Sequence, residues 1–376
     1  VNELQQIIGT EIAATGPISF ARFMELALYH ETHGYYEKRS DQVGTSGDFI
    51  TSVSVGDLFG RLLAFEFASW IRVLREGGHD PPFQIVEAGA HRGQLAHDIL
   101  SEIQTMAEDV FTDVQCIIIE PSERRREWQR ETLSEFEGRV LWREDWSELT
   151  RNNGPVNGII YSNELLDAFP VHRYVWDAEA AAWFETGVAG NADTLVWTRL
   201  SGARESPIDP ELCRHLPNGF IFESTPSAVE WWSQAASALG AGKLVAIDYG
   251  AEFEELVSPV RSNGTLRAYR NHSHVDSVLS DPGEQDLTAT VNWSAIRTAG
   301  ETAGLNSSNL AIQATFLTRI LARAVDSSPE NWQLTPKQIR QFQMLTHPSH
   351  LGQKFQTFIQ SKTACAIEPV CAPTLP

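Results

Sequence analysis

Six short, strongly apolar runs recur through the middle of the chain, and polar stretches with helical spacing separate most of them. They are "FQIVEAG" from residue 83, "VQCIIIEPS" from 114, "RVLWRED" from 139, "VNGIIYSNE" from 156, "GKLVAIDYG" from 242 and "LAIQATFL" from 310. A run with no polar face must be covered on both sides, so the pattern predicts a parallel sheet with helices on each face. "GQLAHDILSEIQTM", "ERRREWQRETLSEF" and "VNWSAIRTAGETAG" have helical spacing, and "LLDAF" is taken as a helical turn. Upstream, residues 1–30 read as helical, with Ser19 as the N-cap of "FARFMELALYH". Residues 34–56 are loop-like, and a second helix from Leu58 stops at Gly77 and Gly78.

The alternation breaks twice. Residues 171–240 carry an antiparallel hairpin and then the helix "PSAVEWWSQAASALG", and residues 251–290 are loop-rich. Residues 334–360 read as a helical pair. The expected fold is α/β, a Rossmann-like doubly wound sheet. It has an N-terminal helical region (1–80), a core (81–325) with those two insertions, and a C-terminal helical extension (326–376).

Composition narrows the function. No apolar run reaches the roughly 20 residues of a membrane span. The first residues lack the pattern of a secretory signal and the arginines of a transit peptide. Cys116, Cys213, Cys365 and Cys371 form no C-x-x-C pair; Cys116 reads as core, and the pattern suits a reducing compartment. The formal net charge of −20 argues against non-specific nucleic-acid binding and suits a cationic substrate or a basic partner, although solubility accounts for most of it.

Candidate chemistry sits at the strand ends, where doubly wound sheets bind ligands. After the first strand, Gly89 permits a tight turn and Gly93 a close backbone approach, while His91 stands where such loops often have glycine. Glu87 suits a ligand with an amino group better than a pyrophosphate. Glu120 ends the second strand, where a carboxylate can accept both ribose hydroxyls. Glu144 and Asp145 end the third, where one of them would accept an adenine amino group; Pro121, Ser122 and Trp146 are assigned to the same site. Acids at three successive strand ends describe an adenosine ligand without phosphates: S-adenosylmethionine rather than NAD. After the fourth strand, Asn163, Glu164 and Asp167 are the catalytic candidates. If "ELLD" is a helical turn, Glu164 and Asp167 share a face and hold a guanidinium together. The alternative is that Asn163 caps that helix and Glu164 supports its dipole. Two metal readings fail: His30 and His33 lack the H-E-x-x-H spacing, and "HSHVD" at 272–276 reads as loop surface. Methyl transfer from a sulfonium needs no metal.

The blocks "GPISFARFMELALYHETHGYY", "GDFITS", "SNELLDAFPVH", "AIDYG", "GTLRAYRNH" and "DPGEQDLTATVNW" together resemble the MidA family, from about residue 10 to about 360. This family comprises mitochondrial complex I assembly methyltransferases and their bacterial relatives. The resemblance implies a class I S-adenosylmethionine-dependent methyltransferase acting on an arginine of a protein partner. It implies that "GDFITS" closes over the cofactor, through Gly47, Asp48 and Thr51. It further implies that Ser162, Asn163 and Glu164 belong to the site, and that the Pro282–Asp286 block faces the substrate, with Asp286 as a fourth catalytic candidate. The chain departs from the family at Val53, where proline is frequent, and at Thr290, where histidine is frequent. A small-molecule methyltransferase and a non-catalytic cofactor-binding assembly factor remain as alternatives. Oligomeric state stays open, a homodimer included. The expected location is the cytoplasm for a bacterial member and the mitochondrial matrix for a eukaryotic one.

Overall fold

The computed structural model describes residues 2–38, 51–270 and 273–362. Helices α1 (Glu3–Thr15) and α2 (Phe20–Tyr29) begin at side-chain caps, Asn2 accepting from the Gln5 amide and Ser19 from the Arg22 amide. α3 (Leu58–Glu76) ends at Gly77, and Gly78 follows in the left-handed conformation that glycine adopts without strain.

The main sheet is built from β1 (Phe83–Ala88), β2 (Val114–Ile119), β3 (Val140–Arg143) and β4 (Val156–Asn163). Within the first insertion, β5 (His172–Asp177), β6 (Ala182–Gly190), β7 (Leu195–Arg204) and β8 (Ile221–Ser224) form a separate antiparallel sheet. The main sheet resumes with β9 (Leu239–Asp248), parallel to β4. The second insertion is a three-stranded patch: β10 (Arg267–Arg270), β11 (Ser273–Val275) and β12 (Asp286–Thr288). The last strand, β13 (Gln356–Ser361), pairs antiparallel to β9, so the order across the main sheet is β13-β9-β4-β1-β2-β3.

Helices α4 (Gln94–Met106), α5 (Glu123–Thr132), α6 (Trp146–Asn153), α7 (Pro226–Ala238), α8 (Trp293–Thr302), α9 (Gln313–Ser327) and α10 (Pro336–Thr346) cover the sheet and its rim. One core joins α3, α4, α9 and α10 to one face, through Phe59, Phe67, Ile99, Leu317 and Leu345. A second joins α6, α7 and α8 to the other, through Leu149, Trp232 and Trp293. A doubly wound α/β fold is therefore present. α1 and α2 pack elsewhere, on the inserted strands and on the turn after β4, through Phe23, Val188 and Leu287.

Three assignments from sequence are corrected. The sixth run contributes only two-residue pairings, Asn306–Ser307 and Ala311–Ile312; from Gln313 onward the chain is helix α9. The C-terminal helical pair is one helix, α10, followed by strand β13. In both segments local pattern leaves helix and strand open, the first as a short apolar run and the second as an amphipathic one. Five or six apolar residues fit either a buried strand or one side of a helix, and tertiary packing decides. "LLDAF" is likewise not a regular helix: only Leu166–Ala168 makes a single 3-10 turn. No helix among the described residues is long and apolar enough to cross a membrane.

Candidate active site

The carboxyl ends of β1, β2, β4 and β9 open on a cleft of about 1780 Å3. A site for one small ligand usually occupies ~300–1,000 Å3, so this cleft has room for two. Its two halves differ in chemistry.

The first half lies at β1 and β2. Gly89 turns at φ +76°, and a Cβ there would stand 2.9 Å from Leu165. Gly93 precedes α4 in the left-handed conformation. His91 also has positive φ, 46°, uncommon for a residue with a side chain. Its carbonyl accepts a bond from Gln129 Nε2 at 3.0 Å. Burial, and then the charges of Arg125 and Arg92, pull its pKa down to about 4, so the imidazole is neutral.

Glu87 is 2% exposed, and burial pushes its pKa up to about 7. Among the described residues Asn163 Oδ1 has no hydrogen-bond partner, while Glu87 Oε2 has only the Tyr161 hydroxyl nearby, beyond ordinary hydrogen-bond distance. Both residues line the cleft. Buried acceptors left orphaned beside a cavity suit a ligand with N–H donors, such as an α-ammonium.

Glu120 is equally buried but well partnered. Oε1 accepts from the Ser122 amide at 2.9 Å and from Arg125, whose Nη2 stands 2.7 Å away; Oε2 accepts from Gln129 at 3.2 Å. Acceptor capacity remains on Oε2, enough for one ribose hydroxyl as the side chains stand. Arg125 also pairs with Glu37 at 2.9 Å, and Ser122 Oγ donates to Glu37 Oε2 at 2.8 Å. Pro121 and Ser122 line the cleft.

The third strand end does not match the sequence assignment. Asp145 is exposed and caps α6, accepting from the Glu148 amide at 2.7 Å. Trp146 is buried edge-on against Trp231 at 5.4 Å, and it is Trp231 that reaches the cleft. The cap uses Oδ1 of the carboxylate that the sequence assigned to adenine, and neither Asp145 nor Trp146 lines the cleft.

The second half is built from the segments after β4 and β9. Glu164 takes φ 52°, and the chain then makes its single turn, so Glu164 and Asp167 do not share a helix face as assigned. They meet in the cleft because the backbone reverses at Glu164. The alternative also fails: Asn163 caps nothing and donates to Glu164 Oε1 at 2.9 Å, as does the Ser52 amide at 3.2 Å. Thr51 lines the cleft beside this contact; Gly47 and Asp48 lie outside the described residues. Asp286 accepts from the Tyr36 hydroxyl at 2.8 Å. Of the Pro282–Asp286 block only Asp286 lines the cleft; Gln285 donates to the Ser277 and Val278 carbonyls, and Glu284 pairs with Lys38.

Burial raises the pKa of Glu164 to about 8, with the charge of Asp248 adding to it. Asp167 is pushed well above the carboxylate range by burial and then by Asp248, Asp286 and Glu164. Among the described residues the largest charge effects on both groups are negative. Four tyrosines, Tyr29, Tyr36, Tyr249 and Tyr269, surround them in the cleft. Sequence reading assigned no role to these rings, nor to Arg125, Glu37 or Trp231. The tyrosines had a signal in the quoted blocks "FARFMELALYHETHGYY", "AIDYG" and "GTLRAYRNH"; Arg125, Glu37 and Trp231 had none there.

A family described as S-adenosyl-L-methionine-dependent methyltransferase matches residues 62–311. The mitochondrial protein arginine methyltransferase NDUFAF7 of Mus musculus is 30% identical, over 93% of this chain and 82% of its own length. The Drosophila melanogaster homolog is 27% identical, over 94% and 83%. The crystal structure of a Burkholderia thailandensis protein bound to S-adenosyl-homocysteine superposes with a TM-score of 0.79 at 28% identity, covering 96% of this chain and 92% of that one. With the sheet order, the strand-end acids and the orphaned acceptors in place, the match over most of the chain identifies it as a member of the S-adenosyl-L-methionine-dependent methyltransferase family.

Proposed function

We propose that this methyltransferase modifies a guanidinium nitrogen of an arginine side chain in a protein. One observation carries the reading: beside the cofactor half, Asp167 is buried and Glu164 and Asp286 stand half-buried next to it among tyrosines, and the negative charges of Asp248 and Asp286 oppose the ionisation of Glu164 and Asp167. A cation relieves that repulsion, and a planar guanidinium meets carboxylates with paired hydrogen bonds. The relatives named as protein arginine methyltransferases support it.

Glu87 and Asn163 would hold the α-ammonium of S-adenosylmethionine and Glu120 its ribose. When bound, the cofactor supplies a methyl carbon on a sulfonium, already an excellent leaving group. The chain's own residues have three tasks. The carboxylates orient the guanidinium and draw its positive charge toward the nitrogens they hold, leaving electron density on the nitrogen that faces the methyl. Leu165, Phe169 and Trp231 line the cleft and limit water. For each N–C bond formed one N–H proton is lost, and Glu164, with a pKa near 8, is suited to take it.

Labelled methyl transfer from S-adenosylmethionine into a lysate of the source cells tests the reading. Methylarginine in a protein band is expected. Label confined to small molecules, or to another residue type, would overturn it.

A further inference from the structure

Behind the turn that follows β4 lies a buried carboxylate that the chemistry above leaves unused. Asp248, at the end of β9, is 1% exposed. Its Oδ2 accepts from the amides of Leu165 at 3.1 Å, Leu166 at 2.8 Å and Asp167 at 3.4 Å. Its Oδ1 accepts from the Tyr249 amide at 2.7 Å. The first three are the open N–H groups at the start of the turn after β4, which no backbone carbonyl can reach. One side chain therefore gathers the turn bearing Glu164 and Asp167 and the segment bearing Tyr249.

The surrounding backbone extends this arrangement. The Glu164 amide donates to the Ile247 carbonyl at 2.9 Å, and the Asp167 carbonyl accepts from Ala289 at 2.9 Å, just past the strand that carries Asp286. Glu164 sits at φ 52°, which persists in a residue with a side chain only where neighbours hold it.

We propose that Asp248 is a positioning residue for methyl transfer: its carboxylate pins the turn after β4 so that Glu164 and Asp167 face the substrate. The proposal rests on the reading that these two acids meet the substrate. Asp248 does not itself line the cleft among the described residues, so it acts through the turn. Burial raises its pKa to about 7 against the pull of its amide bonds. Held by four N–H donors, it keeps its charge more readily than Asp167, and that charge opposes ionisation of Asp167 and Glu164.

The test replaces Asp248 by asparagine, of equal size, whose amide group cannot accept on one side and so must abandon either the turn or Tyr249. The initial rate of labelled methyl transfer into source-cell lysate should fall about 100-fold or more, while the dissociation constant for S-adenosyl-homocysteine stays within about twofold. Hydrogen exchange at Leu165 and Leu166, measured without substrate, should lose protection. The acid limb of the pH–rate profile should move to lower pH, because a negative neighbour of Glu164 is gone. Asp248→Glu keeps the charge but displaces it; it should lose rate without moving that limb, and it serves if the asparagine variant fails to fold. A rate within threefold of the wild type in the folded variant overturns the proposal. So does cofactor affinity that falls in step with the rate, the mark of a general structural role. Failure of the arginine reading is seen separately, as label in another acceptor, while the exchange result stands on its own.

Discussion

The two halves of the cleft handle negative charge in opposite ways. At the end of β2, Glu120 is buried but meets Arg125, Gln129 and the Ser122 amide, and Glu37 shares the arginine. At the end of β4, Asp167 is buried and Glu164 half-buried, and the largest charge effects on both come from other carboxylates. A carboxylate that is fully compensated within the protein can bind neutral hydroxyls without needing further charge. Carboxylates that crowd one another are costly until a cation arrives. The contrast fits a neutral sugar at one end and a guanidinium at the other.

The sharpest way to break this comparison is Glu164→Gln. Losing one preorganised donor aimed at developing charge costs about 10²–10³ in rate; by analogy labelled transfer should fall by about that factor, with S-adenosyl-homocysteine affinity nearly unchanged by calorimetry. Cofactor affinity falling as far as the rate would mean the halves are not separate. Next in size is Glu120→Ala, which should weaken S-adenosyl-homocysteine binding by about 10–100-fold; unchanged affinity would remove Glu120 from the cofactor half.

A smaller effect is expected from pH. Glu164 titrates near 8 and Glu87 near 7, both raised above the usual carboxylate value by burial. The folded protein holds these protons more tightly than the unfolded chain. Their contribution to stability is therefore complete below about pH 4.5 and is lost as pH rises through about 7–8. A bound guanidinium favours the ionised form of Glu164, so the affinity of an arginine peptide should increase as pH rises from about 6 to 8. An affinity that is flat or falls over that range, with the protein folded, would contradict it.

The smallest change is predicted for His91→Gly. The position already has positive φ and its imidazole is neutral, so cofactor affinity should move by no more than about threefold. A loss of tenfold or more would give the ring a direct part in binding.

The sheet was legible because its buried strands at 83–88, 114–119 and 156–163 are apolar on both faces, a pattern that helices cannot easily share. The final strand was not, since "QKFQTFIQ" has the polarity of an amphipathic helix and owes its strand form to the free edge of β9. In the site, strand-end position singled out Glu87, Glu120 and Glu164, a matter of topology readable from the pattern. It also named Asp145, which caps α6 and stands outside the cleft lining; a helix cap and a ligand contact call for the same residue type. It placed Glu164 and Asp167 on one helix face because nothing in "ELLD" reveals that Asp248, more than eighty residues later, would gather the amides of that turn. Tyr36 reaches Asp286 across 250 residues of sequence and was invisible for the same reason.

The central claim is that the second half of the cleft is built for a positive guanidinium. The direct measurement is calorimetric titration of the S-adenosyl-homocysteine-loaded protein with a blocked Ala-Arg-Ala peptide and its citrulline counterpart, in two buffers of different ionisation enthalpy. The arginine peptide should bind with net proton release near neutral pH, and the neutral citrulline peptide should bind at least about tenfold more weakly. Equal affinity for the two peptides, with no protons released, would contradict the account.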